Sequence, residues 1–131
     1  MRDLTSIQLS QQMSPAWNLG NSVNATPTET SWGNPVVNQQ LLNAVKAAGF
    51  KTVRLTTGWS QYSDADGNVS PAWMSRVTEV VGYARNAGLY VVLNNHETEW
   101  TTPTYANQPT ANARLAKLWT QIANHSSTTR N

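Results

Sequence analysis

Residues 70–93 read SPAWMSRVTEVVGYARNAGLYVVL, and this stretch decides the fold. Ser70 followed by Pro71 is a strong helix start, with serine at the N-cap and proline at the first helical position. Trp73, Val77, Val80, Val81 and Ala84 then recur on one side at helical spacing. The spacing predicts a helix over 71–87, stopped by Gly88. Leu89 to Leu93 follows as an almost unbroken apolar run. A strand buried on both faces reads this way, and such strands belong to parallel sheets.

The same pattern extends outward in both directions. Val37, Leu41, Leu42, Val45 and Ala48 predict a helix over 36–48, with Gly49 as its stop. A strand over 50–57 follows, in which Val53 and Leu55 alternate with Arg54. Residues 15–20, PAWNLG, read as a short strand ending in a loop. Downstream, Leu115, Leu118, Trp119 and Ile122 stripe a helix over 110–124. The order βαβαβα predicts an α/β architecture with parallel strands and right-handed crossovers. The junctions after strands, 58–69 and 96–109, are long and polar, whereas the returns at Gly49 and Gly88 are short. In α/β barrels the long loops after strands build the active site and the opposite face is tight.

Composition narrows the function classes. The 131 residues carry nine Lys and Arg against seven Asp and Glu, a net charge of +2, with no cysteine. That is one domain at most. Disulfide scaffolds, thiolate zinc sites and cysteine nucleophiles are excluded together. No apolar run is long enough for a transmembrane helix. The start, MRDLTSIQLSQQM, has no apolar core of the secretory kind, so localisation stays open. No Lys/Arg cluster points to nucleic acid. The six tryptophans are many for a chain this small. Their faces are platforms for sugar rings, and equally ordinary core or rim packing.

Several motifs start and fail. His96-Glu97-Thr98-Glu99-Trp100 begins like a zinc protease HExxH, but Trp100 replaces the second histidine. Asp64-Ala65-Asp66-Gly67 begins like a calcium loop, yet Val69 stands where the loop glycine belongs, so a turn is the better reading. There is no phosphate loop and no GxSxG elbow. Arg54 is more informative. A strand arginine among apolar neighbours is costly unless a carboxylate or a ligand satisfies it, an edge-strand salt bridge being the alternative. His96 follows Asn94-Asn95 at the functional end of the next strand, although a lone histidine is usually structural. Asn18 and Asn21 end the first strand. Three strands thus deliver polar side chains to one rim.

Met13 through Asn21 (M-x-x-x-W-N-L-G-N), Glu29-Thr30-Ser31-Trp32-Gly33-Asn34-Pro35 and Gly49-Phe50-Lys51-Thr52-Val53-Arg54 carry a resemblance. So do Trp59, the Trp73–Gly88 helix with its LYVVLN strand, and His96. From about residue 4 to 124 the chain resembles the N-terminal part of a family 5 glycoside hydrolase of the cellulase A group. The resemblance implies a partial TIM (β/α)8 barrel of about three βα units. Residues 1–131 would form an N-terminal fragment of the catalytic domain, with 125–131 as a divergent polar tail. It also implies hydrolysis of β-1,4-glucan by a retaining two-Glu mechanism, with no cofactor, no metal, and no nucleic-acid or membrane partner. Arg54 matches the arginine that supports the nucleophile, and His96 the histidine bordering the subsite of cleavage. Trp32, Trp59, Trp100, Asn18 and Asn95 would bind substrate, a polysaccharide or oligosaccharide. Family members are mostly secreted.

The chain also departs from the family pattern. Glu97 stands in place of the second histidine of N-x-H-H, and Pro15-Ala16 replaces the usual glycine before Trp17. A retaining pair needs two carboxyl groups about 5–5.5 Å apart. In the family the acid/base belongs to an Asn-Glu-Pro motif after strand four and the nucleophile follows strand seven. The carboxylates present are Asp3, Glu29, Asp64, Asp66, Glu79, Glu97 and Glu99, and no Asn-Glu-Pro occurs. None is placed to form the pair, so the fragment is expected to be inactive alone. The polar turn at His125 suggests a frame shift or premature stop near that residue. The alternatives are a non-catalytic glucan-binding fragment, or a half-barrel that self-associates through its exposed edge.

Overall fold

The computed structural model describes residues 4–97, 100, 102 and 104–128. The elements are α1 (Ser6–Met13), β1 (Ala16–Leu19), α2 (Gln39–Ala47), β2 (Thr52–Leu55), a 3-10 turn (Ser60–Tyr62), α3 (Pro71–Asn86), β3 (Tyr90–Leu93) and α4 (Gln108–Thr128). The strands form one parallel sheet in the order β1-β2-β3. The expected βαβαβα succession is present, with α1 added in front. α1 buries no residue, so it has no apolar stripe, but Thr5 and Gln8 form a capping box at its start.

Side chains alternate across the sheet. On one face Leu19, Val53 and Leu55 join Leu42 and Val45 of α2, Val77, Val80 and Ala84 of α3, and Leu118 and Ile122 of α4 in one core. The other face presents Asn18, Arg54 and Val92, which are neighbours in the strand register. The apolar run over 89–93 is therefore not buried on both faces as expected. Val92 is 39% exposed and the rest of β3 is half-buried, because β3 is the outer strand of an open sheet.

The element boundaries differ from expectation for local reasons. α2 starts at Gln39 rather than residue 36, because Asn38 is its N-cap and accepts the Leu41 N–H at 3.0 Å. Val37 is buried ahead of the helix and donates its N–H to Glu29. The strand expected over 50–57 narrows to β2, and α4 runs two residues earlier and past 124. Ser70 is the N-cap of α3, but its side chain makes no capping bond. Both helix stops hold as expected: Gly49 and Gly88 sit at φ of +97° and +75°, the left-handed region that favours glycine. The turn reading of 64–67 also holds. Asp64 accepts the Asn68 N–H at 2.8 Å, and Gly67 has a φ of +79°.

The described residues of the loops after the strands, 20–38, 56–70 and 94–107, gather at one end of the sheet, and the short returns 48–51 and 87–89 at the other. Two braces hold the long loops. Arg76 of α3 donates Nε and Nη2 to the Glu29 carboxylate at 3.0 and 2.9 Å, and Nη2 also to the Val37 carbonyl at 2.8 Å. From α4, Gln121 accepts the Val69 N–H and donates to the Gly67 carbonyl, while Lys117 donates to the Asp66 carbonyl. No helix among the described residues is long and apolar enough to cross a membrane.

Candidate functional site

The loop end of the sheet carries the polar groups. Arg54 projects from β2 on the open face. Its Nη1 donates to Asn18 Oδ1 at 2.7 Å. On the other side, with the Asn94 side-chain amide turned so that both its ends are satisfied, its Oδ1 accepts from Arg54 Nη2 at 2.8 Å and its Nδ2 donates to the Leu55 carbonyl at 2.8 Å. The guanidinium is thus held between two amides contributed by β1 and by the end of β3. Its partners here are amides and not a carboxylate, so the salt-bridge alternative does not describe this arginine among the described residues.

Beside this row lies a cleft of about 360 Å³. Trp32 and His96 line it, with Asn24, Gln61, Ser60 and Glu97. Trp32 is 50% exposed, so part of its aromatic surface is open to a ligand. His96 is exposed, and its backbone N–H donates to the Thr57 carbonyl at 2.9 Å. Asn24 and Gln61 escape sequence reasoning. Asn24 is fixed by the Thr56 hydroxyl at 3.1 Å and Gln61 by the Ala25 carbonyl at 2.9 Å. Lone amides in loops carry no spacing signal.

The other expected sites fall differently. Trp59 is 1% exposed and belongs to the core, its Nε1 donating to the Asn94 carbonyl at 3.2 Å. It supports the rim and does not offer a ring face to substrate. Trp100 is half-buried and lies outside the cleft, with Nε1 donating to Ser60 Oγ at 2.7 Å. Asn95 is half-buried and does not line the cleft, and its Oδ1 is buried with no partner among the described residues. The structure therefore brings Arg54 together with Asn18, and Trp32 together with His96, while Trp59, Trp100 and Asn95 stand behind or beside them.

Four of the described carboxylates are engaged by the fold. Glu29 is paired with Arg76, and this hydrogen-bonded pairing, more than any other contact, strengthens the hold of Arg76 on its proton. Glu79 accepts from the Tyr83 hydroxyl and from Arg76, and both bonds push its carboxyl below the usual range. Asp64 is lowered by its side-chain bond to Asn68. Glu97 accepts the N–H groups of Trp59 and Ser60. Asp3 and Glu99 lie outside the described residues. No cluster of three acidic or histidine side chains suited to a metal occurs among the described residues. The rim offers partly exposed aromatic surface, an imidazole, amides and a guanidinium, groups that can stack on and hydrogen-bond a ligand.

Known proteins share this architecture. The family model described as Cellulase (glycosyl hydrolase family 5) matches residues 18–130. Endoglucanase B of Clostridium cellulovorans is 44% identical over 127 residues, covering 95% of this chain and 29% of that protein. A xyloglucan-specific endo-beta-1,4-glucanase of Bacteroides ovatus is 42% identical, covering 94% of this chain and 27% of that protein. The solved structure of a GH5-4 broad specificity endoglucanase from Clostridium acetobutylicum superposes with a TM-score of 0.91 at 41% identity, over 95% of this chain and 39% of that one. The chain thus spans about a third of the length of these relatives, and its open sheet is a sector of a (β/α)8 barrel. It belongs to glycosyl hydrolase family 5.

Proposed function

We propose that residues 1–131 are the N-terminal sector of an endo-β-1,4-glucanase active site. This sector binds and orients the glucan, and the two catalytic glutamates come from the part of the barrel that follows strand three in the family. The observation that carries this reading is Arg54 clamped by Asn18 and Asn94 beside a cleft lined by Trp32 and His96. A clamped guanidinium is a fixed hydrogen-bond donor, suited to hold a neighbouring carboxylate in its ionised form. In the family that carboxylate is the nucleophile. Trp32 supplies a stacking face for a glucosyl ring, and His96 borders the bond to be cut. Glu29, Glu79, Asp64 and Glu97 are engaged in contacts within the fold, which supports reading the catalytic pair as supplied elsewhere.

The test is reducing-sugar release from carboxymethylcellulose by the purified 131-residue chain. The expected result is no release above a buffer control. Release that persists in the double variant Arg54→Ala, His96→Ala would contradict the assignment. Non-catalytic glucan binding is the second reading, favoured by the half-exposed Trp32. Cello-oligosaccharide quenching of tryptophan fluorescence in the wild type, abolished by Trp32→Ala, would support it.

A further inference from the structure

We infer that Glu97 is a positioning residue, whose carboxylate locks the loop after β2 to the loop after β3 and so sets the wall of the cleft. In sequence Glu97 is a departure, since it stands where the family has a second histidine. In the structure its Oε1 accepts the N–H groups of both Trp59 and Ser60, and its Oε2 accepts from Ser60 Oγ at 3.0 Å. Ser60 Oγ in turn accepts from Trp100 Nε1 at 2.7 Å. A single carboxylate thus organises four polar contacts spread over Trp59, Ser60, Glu97 and Trp100.

The position of this network matters. Ser60 and Glu97 themselves line the cleft, as do Gln61 next to Ser60 and His96 next to Glu97. Two of the donors are backbone amides at the start of the 3-10 turn, which its own short hydrogen-bonding pattern leaves without partners. Hydrogen bonds from two amides and a hydroxyl to an ionised acceptor are the strong kind. Removing the acceptor leaves the Trp59 and Ser60 amides without this partner while the core around Trp59 stays packed. The loop would then lose these contacts to the segment after β3, while the His96 N–H to Thr57 carbonyl and Trp59 Nε1 to Asn94 carbonyl bonds remain and the domain stays folded. With both oxygens engaged in this way, the carboxylate ties the two loops together.

The inference rests on the glucan reading only for its consequence on binding, and two readouts separate the parts. The first is hydrogen exchange by NMR at the Trp59 and Ser60 amides and the Trp100 indole, in the wild type, Glu97→Ala and Glu97→Gln. The second is cellotetraose affinity of the same three proteins, with Glu79→Ala as a control that also removes one carboxylate. The expected result is exchange faster by about tenfold or more at these three sites in Glu97→Ala, with core amides such as Val53 and Val80 unchanged and cellotetraose binding weakened. Glu97→Gln keeps one carbonyl acceptor and should fall between. Unchanged exchange at the three sites, or equal acceleration throughout the chain, would overturn the inference. So would binding in Glu97→Ala equal to that of the wild type. If the wild type itself binds no cellotetraose, the glucan-binding reading fails, and the exchange pattern alone decides the role of Glu97.

Discussion

Arg76 carries its charge between two carboxylates, and the larger share of that arrangement is structural. Glu29 accepts from Nε and Nη2 of Arg76 and from the Val37 N–H, so one side chain ties the loop after β1 to α3. Glu29→Ala should lower unfolding free energy by about 1–3 kcal/mol, since it leaves a half-buried guanidinium and a backbone amide without that acceptor. Urea titration of the variant reads this directly. Arg76→Ala in the Glu29→Ala background should cost less than it does in the wild type. The acid limb of stability follows from Glu79 and Asp64. Both are lowered in the folded chain, Glu79 first by Tyr83 and then by Arg76, and Asp64 first by Asn68. Their folded values lie below their unfolded ones. Their contribution is therefore complete at neutral pH and is lost as pH falls through the lowered values. Both groups are exposed, so the loss should be small and should shrink further at high salt, as urea midpoints across acid pH would show.

At the scale of elements, the helices are placed by their stripes and the strands by their order. Leu42 of α2 and Val80 of α3 are fully buried against the sheet. Leu42→Ala should cost about 2–5 kcal/mol, and Val80→Ala somewhat less, by loss of transfer energy plus the cavity left behind. Calorimetry checks both, and a cost below about 1 kcal/mol for Leu42→Ala would contradict the assigned core. Much of this is legible in the chain. The stripe from Trp73 to Ala84 and the stops at Gly49 and Gly88 depend on local periodicity and on backbone conformation, both written in neighbouring residues. What stays hidden depends on distant partners. The exposure of Val92 reflects the uncovered face that it shares with Asn18 and Arg54 among the described residues, and the burial of Trp59 reflects packing from residues far along the chain. Glu97 reads as a fault in a motif because its donors lie nearly forty residues earlier in sequence. α1 gives no periodic signal because a helix with no buried face has no stripe, and its Thr5–Gln8 capping box is the one local cue.

At the scale of the whole molecule, the sheet is open on both edges and on one face among the described residues, and Arg54 projects from that open face. The Arg54 row, the Trp32–His96 cleft and the Glu97 tie lie together at the loop end, where an α/β barrel carries its active site. The central claim is that this sector supplies Arg54 to hold a nucleophile carboxylate contributed elsewhere in the barrel, while Trp32 and His96 orient the glucan. The most direct measurement is carboxymethylcellulose hydrolysis by a chimera in which residues 1–131 replace the matching segment of Endoglucanase B of Clostridium cellulovorans, which is 44% identical. The chimera should release reducing sugar, and Arg54→Ala within it should lower kcat by about a hundredfold or more while the melting temperature stays near that of the unaltered chimera. A folded Arg54→Ala chimera that hydrolyses the substrate as fast as the unaltered one would contradict the claim.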